Sequence, residues 1–305
     1  MAGGNQDRES AGEPWVRSLA SSYNTILNTS AGKMQPGTLW NERLMAELVS
    51  EPEGPIHRLI FNIPSRRNAI TPAHARSLAL ELEQIEDAGE ARVVLLSGAG
   101  GHFCAGLDLH WLRSLGGTPT ISDLQHGLSG FQSAILAIVR CPVPVIAVMQ
   151  GTAAGFGLDL ALACDMRLAT STATFTSAFA RVGLVPDGGS TFTLPRLVGV
   201  GRSMRMLITG ETVDAKDALA IGLVEEVIDD SNLESGVRRT VNALLEAAGS
   251  SIRSIKRLAR APEVGALEQA LSSEGAAQLQ ALQGSEFRLR LDAFAARVAS
   301  RGQQA

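Results

Sequence analysis

Aromatic residues are scarce in this chain, at 4% of 305 residues with a single tyrosine, and the formal charge of −4 leaves no basic excess. Nucleic-acid surfaces combine a basic stripe with interleaved aromatics, so a nucleic-acid partner is not expected. Cysteine is rare and odd in number. Cys104, Cys141 and Cys164 stand among apolar or small residues, which reads as buried thiols in a reducing compartment rather than a disulfide framework. The longest apolar run, VPVIAVM at 143–149, is far too short to cross a bilayer. The N-terminal MAGGNQDRES lacks the basic-then-apolar pattern of a secretory signal, so a cytoplasmic protein without membrane association is expected. Metal spacing is missing as well. His57, His74, His102, His110 and His126 do not recur at ligand intervals, and Cys104 near His102 makes only a lone pair, so no metal is expected.

Hydrophobic residues are plentiful at 45%, enough for one large core or a core with a smaller appendage. Residues 1–50 are rich in Ser, Asn, Gly and Glu and include Trp15 and Trp40; they read as an arm with one short helix around 15–27. From residue 56 the pattern sharpens. IHRLIFNIP is a strand bounded by proline, and Thr71 caps a helix that starts at Pro72 and carries Leu78, Leu82 and Ile85 at helical spacing. RVVLLSG at 92–98 and VPVIAVM read as buried strands separated by a helical stretch at 128–140, and MRLAT and ATFTSA as further strands. This alternation predicts an α/β fold. Residues from about 233 onward read as helical throughout.

Two segments share one plan of buried strand, glycine-rich turn and helix start: VVLLSGAGGHFCAGLDL and VIAVMQGTAAGFGLDL. A helix start leaves backbone N–H groups without intrahelical partners, and small residues let a ligand approach them. Two such turns converging would make an oxyanion hole; each alone could simply end a strand. Asp159 falls in the first turn of the second helix. From the residues alone it either complements the helix dipole or faces the space before that turn.

Five ordered motifs, FNIPSRRNAI, HFCAGLDL, GTAAGFGLDLALACD, FARVGLVPDGGSTFTLPRLVG and AKDALAIGLVEEVI, resemble the enoyl-CoA hydratase/isomerase, or crotonase, superfamily over about residues 50–305. The resemblance implies a spiral of ββα units at 51–232, a helical oligomerisation region at 233–305, and a homotrimer or hexamer. Leu267, Leu271, Leu279 and Leu282 offer that region an apolar face, or belong to the core of the same chain. The implied ligand is an acyl-CoA thioester whose oxygen sits between the backbone N–H groups of Leu107 and Phe156. Coenzyme A then enters as part of the substrate, with no separate cofactor. By the same resemblance Arg66 and Arg67 meet its phosphates, Ala69 lies along the adenine, and Lys256 reaches the nucleotide.

The acids distinguish the reactions within the family. Asp159 is implied to face the reacting carbons, and family hydratases place a second acid 20 positions later, where this chain has Phe179. Asp187, in LVPDGGS, stands where the family's isomerases carry theirs. Taken from its local sequence, Asp187 also suits an N-cap or Asx-turn before the next helix. Double-bond migration needs a proton removed at one carbon and returned at another, for which one carboxylate suffices. The expected activity is therefore enoyl-CoA isomerisation, with Asp187 as proton shuttle, Asp159 as orienting or second acid, and Phe179 in the acyl pocket. Hydration by both acids and a non-catalytic acyl-CoA-binding protein are the alternatives. A serine peptidase of related fold is disfavoured because Gly155-Phe156-Gly157 holds no serine.

Overall fold

The computed structural model describes residues 47–114 and 120–302, so the helix expected at 15–27 lies outside the described residues. Strands β1 (Leu48–Glu53) and β2 (Ile56–Phe61) form an antiparallel hairpin at the edge of the main sheet. Strands β3 (Val93–Gly98), β4 (Val145–Met149), β6 (Met166–Thr170) and β9 (Glu226–Ile228) extend it, all parallel, in the order β1-β2-β3-β4-β6-β9. A parallel strand is covered on both faces and reads as a continuous apolar run. VVLL and VIAVM do so, and each of those residues is buried.

A second sheet of three short strands, β5 (Thr152–Ala154), β7 (Thr174–Thr176) and β8 (Thr212–Asp214), is ordered β5-β7-β8. The chain leaves β4, turns at Gly151 and enters β5 in the other sheet. That turn is the step of the spiral. Two isolated bridges, Cys104 to Ala153 and Ile70 to Leu107, lace the first glycine turn to the second and to the RRNA segment.

Helix Pro72–Ala88 begins as the sequence indicates: Thr71 Oγ1 accepts from the His74 N–H, and the Thr71 N–H donates to His74 Nδ1 at 3.1 Å. Its buried face, including Leu78, Leu82 and Ile85, packs against helix Ile121–Arg140. The C-terminal part consists of helices Leu233–Glu246, Gly249–Gln283 and Ser285–Gly302. Of the four leucines, Leu267 and Leu271 are each 2% exposed and belong to the main core, whereas Leu279 and Leu282 are half-buried. Each full burial contributes about 2 kcal/mol. Among the described residues no helix is long and apolar enough to cross a membrane.

Candidate active site

The two glycine turns meet. Gly106 has φ +90°, a conformation that suits glycine. A Cβ there would lie 2.6 Å from the Ala154 carbonyl oxygen and 3.2 Å from the Phe156 nitrogen. On the first turn, the Ile70 N–H donates to Gly106 O and the Asp108 N–H to Ile70 O, at 2.8 and 2.9 Å. The bridge thus uses the groups on either side of the Leu107 N–H. On the second, Gly155 precedes helix Phe156–Ala163, which puts the Phe156 N–H in the unpartnered first turn. Neither the Leu107 nor the Phe156 N–H has a hydrogen-bonded acceptor among the described residues. Both residues line one cleft of about 560 Å³.

Phe156 brings bulk to this turn, and its ring is directed into the wall. The ring lies 4.4 Å from that of Phe131, tilted by 52°, and Phe156 is 2% exposed. Phe179, Val182 and Leu184 complete an apolar wall facing Leu107 and Leu109. Asp187 enters this wall as a buried carboxylate. Its Oδ2 accepts from Gln278 Nε2 at 3.2 Å, and its Oδ1 is buried without a partner. Burial, reinforced by the nearby Glu274 carboxylate, pushes the Asp187 carboxyl up to about 7, against the pull of the Gln278 hydrogen bond.

Of the residues singled out in the sequence, Leu107, Phe156, Arg66, Arg67, Ala69, Phe179 and Asp187 line the cleft, and Asp159 and Lys256 do not. Asp159 lies behind the Asp187 loop. A Cβ on Gly188 would be 2.6 Å from both Cβ and Oδ2 of Asp159, so the loop covers the carboxylate that was expected to face the cleft. Both its oxygens are buried without hydrogen bonds. Desolvation first, then the charges of Glu274 and Asp187, raise it well above the usual carboxylate range, which favours its neutral form.

Lys256 is 8% exposed, with Nζ 2.6 Å from Asp165 Oδ2 and 2.9 Å from the Val143 carbonyl oxygen. It lines a separate cavity of about 640 Å³. Each cation there faces an acid: Lys256 and Arg260 share Asp165, Arg167 pairs with Glu225, and Arg196 approaches Glu263 at 3.8 Å.

The two arginines also differ from one another. Arg66 is ion-paired with the buried Asp108 and approaches Glu47 at 3.9 Å, whereas no ion pair engages Arg67 among the described residues. Asp108 Oδ1 accepts from the His110 and Trp111 N–H groups, at 2.9 and 3.3 Å, at the start of helix Leu109–Ser114. Arg66 therefore braces the turn that carries Leu107. Gln278 and Glu274 are site residues that sequence reasoning missed. They lie 91 and 85 positions beyond the loop groups they bind, and no local pattern marks them.

The α/β core thus brings two backbone N–H groups without acceptors, those of Leu107 and Phe156, to one largely apolar cleft that Asp187 also lines. Comparison with known proteins then places the chain. The family model for enoyl-CoA hydratase/isomerase matches residues 51–300, and the chain belongs to that family and has its crotonase fold. It is 32% identical to the 1,2-epoxyphenylacetyl-CoA isomerase of Escherichia coli (strain K12) over 83% of this chain and 97% of that protein. An enoyl-CoA hydratase structure from Mycobacterium avium subsp. paratuberculosis K-10 superposes with TM-score 0.74 at 30% identity, covering 81% of this chain and 98% of the other. A family structure from Thermobifida fusca YX, in complex with acetoacetyl-CoA, gives TM-score 0.67 at 29% identity, with 81% and 99% covered.

Proposed function

We propose that the protein is an enoyl-CoA isomerase in which Asp187 carries the proton. The observation that supports this most is the set of acids in the cleft wall. Asp187 keeps one oxygen, Oδ1, without a partner, Asp108 is tied to Arg66, Asp159 is covered, and Phe179 stands where the resemblance to family hydratases would put the second acid. Hydration needs a water held between two acid-base groups. Migration of a double bond needs one.

In this reading the thioester oxygen accepts hydrogen bonds from the Leu107 and Phe156 N–H groups, and Asp187 Oδ1 takes a proton from C2 of a 3-enoyl thioester. The electron pair moves onto the thioester oxygen as a dienolate, stabilised where the two donors point. Asp187 then returns the proton at C4, leaving the 2-enoyl product. A carboxyl held near 7 serves both halves, since it is ionised often enough to accept and acidic enough to donate. Arg67 meets a CoA phosphate, Arg66 contributes to that contact while bracing Asp108, and Ala69 flanks the adenine. Coenzyme A is part of the substrate and no other cofactor takes part. The acetoacetyl-CoA in the Thermobifida fusca structure supports an acyl-CoA ligand, and the name of the Escherichia coli relative supports isomerisation of a CoA thioester. Assembly as a homotrimer or hexamer belongs to the same reading. Exposed Val200, Met204 and Ile208, spaced four apart on helix Val200–Thr209, support it, and light scattering tests it.

The activity is tested with purified protein on 3-enoyl-, dienoyl- and 2-enoyl-CoA thioesters. Wild type should shift the double bond and Asp187→Asn should lose about 10²- to 10⁴-fold in rate. Rapid hydration of 2-enoyl-CoA that survives Asp187→Asn would contradict the assignment.

A further inference from the structure

Helix Gly249–Gln283 reaches the active site with two polar residues four apart, both buried. Gln278 is 2% exposed and lines the cleft. Its Oε1 accepts from the Val185 N–H at 3.0 Å while its Nε2 donates to Asp187 Oδ2. One amide thus grips the loop on both sides of Pro186. Glu274, one turn earlier, is 6% exposed and takes the far side of the loop. Its Oε2 accepts from the Gly189 N–H at 2.6 Å, and its Oε1 from the N–H and hydroxyl of Thr191 at 2.9 and 2.5 Å.

We infer that Gln278 and Glu274 are positioning residues of the reaction, which hold Asp187 so that Oδ1 alone is left to face the substrate. The inference rests on the isomerase reading of Asp187. A side-chain amide cannot change its charge, so the donor on Oδ2 persists throughout turnover and the second oxygen never competes for the substrate proton. Glu274 binds the loop backbone and also places a negative charge near Asp187. The two residues therefore act on the same carboxyl in opposite directions: the amide favours its ionised form, the glutamate its neutral form. The other charged or titratable groups around Asp187 are Asp159 behind the loop and Arg66, Arg67, Asp108 and His110 across the cleft.

The test is the pH dependence of kcat for isomerisation. Gln278→Met removes the donor at similar length, and Gln278→Leu is carried beside it in case one packs poorly. Each should move the midpoint of the acidic limb upward by about one to two pH units. At pH 7 kcat should fall about five- to fifty-fold, recovering above the new midpoint, with KM for the CoA thioester little changed. Glu274→Gln should move the midpoint downward by about one unit and lower Tm, because an amide NH₂ then meets backbone donors. Loosened packing alone would not give shifts of opposite sign. Unchanged midpoints in both Gln278 variants, with Asp187→Asn inactive, would overturn the inference and leave the isomerase reading standing. An active Asp187→Asn would remove that reading itself.

Discussion

Adding one methyl group at Gly188 tests where Asp159 lies. The new Cβ would sit 2.6 Å from Asp159 Cβ and Oδ2 and 3.0 Å from Cγ, well inside van der Waals contact. Overpacking of a buried site typically costs about 1–3 kcal/mol. At about 2 kcal/mol, Gly188→Ala should lower Tm by about 4–8 °C and slow isomerisation, because relief of the clash moves the adjoining Asp187. Asp159→Ala should cost little, within about 1 kcal/mol, since it removes a buried carboxyl that has no hydrogen-bond partner. Combining the two frees the space, so most of the Gly188→Ala loss should vanish in the double variant, a coupling of about 1–2 kcal/mol. Differential scanning calorimetry on the four proteins measures it, with rates on a 3-enoyl-CoA alongside. Strictly additive losses would mean that Asp159 does not touch Gly188 and points elsewhere, the cleft included.

The remaining predictions concern charge. Asp187 stands at about 7 when folded against an ordinary value of 3.8, so its contribution to stability is fully present below about pH 4 and declines as pH rises through 7. Its ionisation costs up to ~4 kcal/mol, and Asp187→Asn should accordingly raise Tm relative to wild type at pH 8 and change it little at pH 4, read by thermal unfolding at both. Lys256→Met leaves the half-covered Asp165 with Arg260 alone and should cost about 3 kcal/mol in urea unfolding, with CoA affinity by calorimetry unchanged. Arg67→Ala should weaken CoA binding by about ten-fold or more, whereas Arg66→Ala should also lower Tm because it strips the buried Asp108 of its cation. Phe179→Glu should raise hydration of a short 2-enoyl-CoA above the wild-type level, measured as loss of enoyl absorbance.

What could be read from the sequence followed from local chemistry. Strands β3 and β4 carry apolar runs of four and five residues, β2 and β6 are short stretches that mix apolar residues with a few polar ones, and Thr71-Pro72 marks a helix start by its own side chains. The edge strand β1 was absorbed into the polar arm because only Leu48 of LVSEPE is buried. Strands β5, β8 and β9 were missed for another reason: three residues carry no period, and their pairing with distant strands decides them. At the site, the shared plan of the two glycine turns was legible and the structure brings them to one cleft, while Leu107 and Phe156 were singled out within them by the family resemblance. The orientation of Asp159 was not legible. First-turn spacing fixes which face of a helix a side chain takes, but the Asp187–Gly188 loop that covers this face arrives 28 positions later. The burial of Lys256 was not legible because a buried lysine and a solvent-facing one look alike in sequence; its partner Asp165 lies in the bend between helix Phe156–Ala163 and strand β6.

In the proposed reaction a single carboxyl, Asp187, does the acid-base work in a cleft whose donors are backbone groups. The most direct measurement is the wild-type pH profile of kcat for double-bond migration, taken beside Asp187→Asn on the same substrate. The expected result is an acidic limb with its midpoint near 7, and in Asp187→Asn a rate lower by at least about 10²-fold at every pH with CoA affinity retained. A limb near the ordinary aspartate value, or migration that persists in Asp187→Asn, would contradict it.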